Sequence, residues 1–202
     1  MLSQAFALTA LLAGRAALAG TPQGFVPSTN RTFEVSYSGT VVSNGNSVPL
    51  DDVHLSPQIS FEAQADNTSH VLVMLDLDAP YGPTDNKYSP LLHWSKVFDP
   101  QATSLAANGS TAESDFAFYV SPNPPVGSTP HRYVFLLFSA AAAAFEIPES
   151  FRGLDPANIT ERLVFDIDGF VREGKLDLAA ANWFTSVNST AAEDVDVPSG
   201  FF

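Results

Sequence analysis

Residues 122–138 read PNPPVGSTPHRYVFLLF. Four prolines run into a His-Arg-Tyr triplet, and a nearly pure apolar segment follows. Prolines fix φ and lower the entropy lost on ordering, so the first half is a stiffened loop. The second half, from Arg132 to Phe138, is β-branched, aromatic and aliphatic. That makes it a buried strand anchored in the core. A rigid loop feeding a core strand holds His131 and Tyr133 still at the junction.

Working outward, more strands appear. TFEVSYSGTVVS from Thr32 alternates, with Phe33, Val35 and Tyr37 on one face. HVLVMLDL (70–77) reads as a buried strand ending in carboxylates, and LLHWSKVF (91–98) and FAFYV (116–120) as two more. Residues 100–115 are small and polar and predict a surface loop. After Phe138 the chain becomes Ala-rich. Residues 155–173 then mix helix formers with acidic starts, predicting one or two short helices capped by Asp155 or Asp166. Ala179 to Val187 carries an aromatic pair near its end. Strands first and short helices late predict a mostly β domain with peripheral helices.

Composition sets the outer bounds. The chain has 202 residues, 45% of them hydrophobic, enough for one domain with a sizeable core. There is no cysteine, which excludes disulfides, thiolate nucleophiles and cysteine-ligated metals. The net charge of -13 argues against nucleic acid and anionic membrane surfaces as partners. Residues 1–19 end in Ala-Leu-Ala after an apolar run and read as a secretory signal peptide, too short to span a membrane. Removing them takes away only Arg15 and leaves -14. Five N-x-[ST] sequons, at Asn30, Asn67, Asn108, Asn158 and Asn188, support the same compartment, and each predicts a surface position. The expected organisation is a signal peptide at 1–19, one β domain at 20–190 and an acidic, frayed tail at 191–202. The expected location is extracellular or vacuolar.

The candidate chemistry is sparse. No G-x-S-x-G, H-E-x-x-H, P-loop or G-x-G-x-x-G is present. Two Asp and two His could bind a divalent ion, but no ligand spacing on one element supports a metal site. Asp76-Leu77-Asp78-Ala79-Pro80 places carboxylates at a strand end beside a proline. His93 lies inside an apolar strand, where a histidine is more often a satisfied core residue. His54 and His70 read as structural or surface positions.

Taken in order, D-x-D-A-P at 76–80, L-H-W at 92–94 and P-P-x-G-x-x-x-H-R-Y-V-F-L-L-F at 124–138 resemble the phosphatidylethanolamine-binding protein family. The resemblance runs from about Phe33 to about Val187. Within it, the late segment from Phe165-Asp166 through Ala181-Asn182-Trp183-Phe184 is similar to the family's closing helix and its Ala-Asn-aromatic-Phe element. It implies a mostly β fold: a central antiparallel sheet flanked by a smaller one, with short helices at the C-terminal end. It also implies a small non-catalytic pocket for phosphate-like anions or phospholipid head groups. The matching positions are Asp76, Asp78, His93, Pro124, Pro125, His131 and Tyr133, with Pro80 and Gly127 shaping loops. His and Tyr could donate to an anion, and loop N–H groups could add to them. Asp76 and Asp78 would organise the histidines and accept from an ammonium, while Arg132 would pair with a carboxylate inside the fold. No cofactor is implied. An inhibitor of a serine carboxypeptidase also belongs to the family, so such an enzyme or another secretory-pathway protease is the alternative partner, although residues 20–32 carry no matching inhibitory sequence. Departures fall at Leu77, where the family often has proline, at Tyr81-Gly82-Pro83, where it often continues Ser-Arg, and at Ser121-Pro122-Asn123, where glycine is common. The missing arginine predicts a lost surface contribution near the pocket, and Ser121-Pro122-Asn123 predicts a stiffer, bulkier rim.

Overall fold

The computed structural model describes residues 20–62, 68–98, 100, 102–105, 115–140, 145–155 and 157–189. The proposed signal peptide and acidic tail lie outside them, as do Asn67 and Asn108. The strands are β1 (Glu34–Tyr37), β2 (Thr40–Val41), β3 (Asn46–Ser47), β4 (Gln58–Ser60), β5 (His70–Asp76), β6 (Leu91–Phe98), β7 (Ser104–Leu105), β8 (Asp115–Ala117), β9 (His131–Ala140) and β10 (Leu176–Ser186). One α-helix, α1 (Ile167–Gly174), and three short 3-10 turns complete the described elements. The large sheet runs β3-β10-β9-β5-β6-β8, and the small one β2-β1-β4-β7. Pairing is antiparallel throughout, except that β3 joins β10 in parallel.

The continuous apolar runs of β5 and β9 are explained by burial on both faces. Leu72, Met74, Tyr133, Phe135 and Leu137 pack with Val35, Tyr37 and Ile59 between the two sheets. Val71, Val73, Leu75, Val134, Leu136 and Phe138 point the other way, onto Phe165, Ile167 and Phe170 of the α1 region. Period two therefore sorts one strand between two cores.

Three sequence readings need correction or completion. Ala179 to Ser186, unassigned from the sequence, belongs to β10, at 11 residues the longest described strand, which pairs with β9 along its length. Its small residues surround a bulge between Leu178 and Ala180 and lie under the N-terminal segment, whose Arg31 carbonyl accepts from the Ala181 N–H at 2.9 Å. The chain thus ends its helical part and returns to the sheet. FAFYV holds strand pairing only through Ala117, and the expected loop at 100–115 contains β7 and the first residue of β8. Of the two proposed caps, Asp166 holds α1 by accepting from the Gly169 N–H at 2.9 Å. Asp155 caps no helix, and Asn158 caps the turn Ile159–Arg162 instead.

Candidate functional site

The C-terminal end of β5 and the N-terminal end of β9 lie side by side, because Asp76 pairs with Tyr133. On the other side of β5, the register jumps from Met74–Trp94 to Leu75–Leu92. His93 is the residue left over, and this bulge re-aims its side chain relative to Leu92 and Trp94. The stiff loop at 122–130 closes over the same end. Together they bound a cavity of about 190 Å³, lined at its base by Asp76, His93, His131 and Tyr133 and at its mouth by Pro80, Tyr88, Asn123, Pro124, Pro125 and Leu163, among others.

Asp76 is the hub. It is 3% exposed, so its charge needs partners. Its Oδ1 accepts from the Asp78 N–H at 2.8 Å, and its Oδ2 lies 2.8 Å from His131 Nδ1 and 3.9 Å from His93 Nε2. His93 Nδ1 faces the Val120 carbonyl at 2.8 Å. Three polar atoms of the lining are buried and without a hydrogen-bond partner: His93 Nε2, His131 Nε2 and the Tyr133 hydroxyl. Buried polar atoms are rarely left so. The rings contact one another, with Tyr133 edge-on to His93 at 5.2 Å and stacked on Phe184 at 5.2 Å. Burial pushes His93 below the usual histidine range; Asp76 and the Val120 carbonyl oppose that, while Arg162 and His131 add to it. Burial first, then the Asp76 charge, hold the Tyr133 phenol well above its usual range.

Asp78 does something else. It is fully buried but lies outside the cavity lining. Arg132 grips it with Nε at 2.8 Å and Nη2 at 2.7 Å, and the Arg132 N–H adds a third bond at 2.8 Å. The expected pairing of Arg132 with an internal carboxylate is present, and its partner is Asp78, which is not among the residues that line the cavity. Of the seven expected site residues, the fold brings six to one cavity and sets Asp78 behind it.

Other lining residues carried no local signal in the sequence. Leu163 and Tyr88 arrive from separate segments, tied by the Val164 N–H donating to the Tyr88 carbonyl at 3.1 Å. Arg162, buried beneath them, donates to the carbonyls of Phe118 at 2.7 Å and His93 at 3.3 Å, and so fixes the back of β6. The Tyr81-Gly82-Pro83 departure has a steric basis: Gly82 sits at φ +119°, and a Cβ there would collide with Thr129 Oγ1. Only glycine lets this turn press against the proline loop. Of the remaining histidines, His70 is buried at the start of β5, and His54 is exposed beside Asp51. Of the described sequons, Asn30 is exposed and Asn188 half-buried, while Asn158 Nδ2 donates to Glu161 at 2.9 Å. Among the described residues no group of three or more His, Asp or Glu could hold a metal ion, and no helix is long and apolar enough to cross a membrane.

A family model described as phosphatidylethanolamine-binding protein matches residues 38–166. Phomoidride biosynthesis cluster protein N of Talaromyces stipitatus is 32% identical, over 89% of this chain and 96% of its own length. The carboxypeptidase Y inhibitor of Saccharomyces cerevisiae is 32% identical over 56% of this chain and 64% of its own. A solved structure of carboxypeptidase Y inhibitor, complexed with the cognate proteinase, superposes with a TM-score of 0.57 at 26% identity, covering 78% of this chain and 83% of that one. A phosphatidylethanolamine-binding protein from Plasmodium vivax shares the fold, with a TM-score of 0.62 at 18% identity over 81% of this chain and 90% of its own.

Proposed function

Because the chain belongs to the phosphatidylethanolamine-binding protein family, we propose that it binds a small anionic group, free or as a phospholipid head group, in the cavity between Asp76, His93, His131 and Tyr133, without turnover. The observation that carries this reading is the convergence of three buried, unpartnered polar atoms on one small cavity. Such atoms cost free energy unless a ligand satisfies them. The mouth supports an amphiphilic ligand. Pro80, Leu91, Pro124, Pro125 and Leu163 line it, and exposed Tyr81, Val126 and Val164 adjoin these in sequence. The domain would work outside the cell or in the vacuole, after removal of residues 1–19.

Titration calorimetry at pH 6 with phosphate, phosphoethanolamine and a short-chain phospholipid tests this. Saturable heat that is lost in His131→Ala is the expected result. Silence from all three at millimolar concentration rejects it.

A second reading has one observation in its favour: the likeness to carboxypeptidase Y inhibitor in complex with its proteinase spans most of both chains. Under it, the domain inhibits a serine carboxypeptidase. Residual peptidase activity against increasing amounts of the purified chain decides the matter, and an undiminished rate at micromolar excess removes this reading.

A further inference from the structure

A cavity of about 190 Å³ is smaller than the roughly 300–1,000 Å³ of pockets that enclose drug-sized ligands. On the head-group reading, on which this inference rests, it holds the head group and leaves acyl chains outside. What surrounds the mouth then decides where those chains stay.

Seven large hydrophobic side chains are exposed among the described residues, and four of them stand at this mouth. Tyr88 lines it. Tyr81, Val126 and Val164 each follow a lining residue directly, namely Pro80, Pro125 and Leu163. Val126 is 62% exposed and Val164 59%. The four come from three separate stretches of chain, and the fold ties these together. The Tyr88 N–H donates to the Ala79 carbonyl at 3.2 Å, and the Val164 N–H to the Tyr88 carbonyl at 3.1 Å. Gly82 brings the Tyr81 turn against Thr129 of the proline loop. Apolar side chains scattered singly are ordinary on a protein surface, but a ring of them round one opening marks a contact face. Its proline loops are stiff before any contact is made, so docking orders little.

The chemistry of the ring fits lipid. Tyrosine joins an apolar ring to a polar hydroxyl and settles at the boundary between bilayer and water. Valine and proline side chains add apolar surface that asks for no hydrogen bond. The nearby charges are of both signs. Lys87 lies 5.3 Å from the Tyr88 ring centre, and Asp85 stands exposed in the same turn, its carbonyl accepting from the Tyr81 N–H at 3.1 Å. Arg132 is taken up by Asp78. No cluster of cations therefore faces outward here, and the net charge of -13 repels an anionic surface.

We propose that this rim seats the domain on a zwitterionic phospholipid bilayer, with Val126 and Val164 as shallow apolar anchors, so that the cavity opens onto the head groups while the acyl chains stay in the membrane.

Co-sedimentation of the purified chain with vesicles tests this. Vesicles of phosphatidylcholine and phosphatidylethanolamine should carry the chain down, and replacing half of that lipid with phosphatidylserine should lower the bound fraction severalfold. Val126→Asp and Val164→Asp alter exposed side chains outside the cavity lining, so the urea midpoint should hold. Combined, they should weaken vesicle binding at least about tenfold, as expected when two valine side chains no longer leave water. The calorimetric heat with phosphoethanolamine should be unchanged. Undiminished sedimentation of the double variant overturns the inference. So does a wild-type chain that stays in the supernatant while phosphoethanolamine binds, and that outcome leaves the head-group reading standing. If neither vesicles nor phosphoethanolamine bind, both fall. A double variant that sediments like the wild type but no longer inhibits a serine carboxypeptidase would assign the rim to a protein partner instead.

Discussion

Strand β5 has a buried histidine or carboxylate at each end, and the two ends behave differently. At the His70 end lies a cleft of about 550 Å³, edged by Arg31, Glu34 and Glu62. His70 itself packs 4.9 Å from the Phe61 ring, within the aromatic margin of the core. At the Asp76 end the cavity is about a third as large, yet three buried polar atoms lack partners there. Volume does not mark the candidate site. Convergence does: polar atoms from β5, β6 and β9 meet where a bulge and a stiff loop hold them, and their hydrogen-bonding capacity is left over. The same contrast recurs over two residues. Asp78 is spent on Arg132, whereas Asp76 organises a surface that faces the cavity.

Breaking the structural half of that contrast has the largest expected effect. Arg132→Met leaves the buried Asp78 carboxylate with a single main-chain N–H. Losing one partner of a buried pair costs about 3–5 kcal/mol, and the Arg132 side chain is 32% exposed, which lowers the expectation to about 2–3 kcal/mol. Urea denaturation measures it, and an unchanged midpoint would mean that the pair does not hold the loop. The matching change at the opposite end, His70→Leu, should leave phosphate affinity unaltered.

The next effect comes from pH. His93 is harder to protonate in the folded chain than in the unfolded one. Above the unfolded value, about 6.5, both states are neutral at this position and it contributes no pH dependence. Below it, the unfolded chain takes up the proton first, so stability falls by up to about 1.4 kcal/mol per pH unit. His93→Gln should flatten that limb of a plot of unfolding free energy against pH between about 6.5 and 5. An equally steep limb in the variant would assign the acid sensitivity to another group.

Much of this was legible in the sequence. Apolar runs located β5, β6 and β9, and the family resemblance carried by D-x-D-A-P, L-H-W and the proline loop located Asp76, His93, His131 and Tyr133. What stayed hidden depended on pairing partners. β10 reads as Ala-rich and indeterminate until β9 supplies its ladder, because small residues at 179–181 answer to close packing rather than to local preference. The division of labour between Asp76 and Asp78 could not be read from D-x-D, since it depends on which carboxylate Arg132 reaches. The hydrogen-bond partners of His93 and His131 are a carbonyl 27 residues away and a carboxylate 55 residues away.

The smallest stability effect should fall on the residue at the centre of the cavity. Tyr133 is fully buried, and its ring stacks on Phe184 and meets His93 edge-on. Tyr133→Phe keeps those contacts and removes a hydroxyl that has no partner in the free chain. Removing an unsatisfied polar group of this kind is near neutral or stabilising, so the unfolding free energy should move by less than about 0.5 kcal/mol, or rise. In the liganded protein the same hydroxyl makes a hydrogen bond to a charged oxygen, worth about 1.5–3 kcal/mol, so phosphate affinity should fall by about tenfold to a hundredfold. A residue that costs nothing to alter in the empty fold and much in the occupied one is held for the ligand. If Tyr133→Phe instead destabilised the free chain by about 2 kcal/mol, with affinity unchanged, the hydroxyl would belong to the core, and the two ends of β5 would be alike after all.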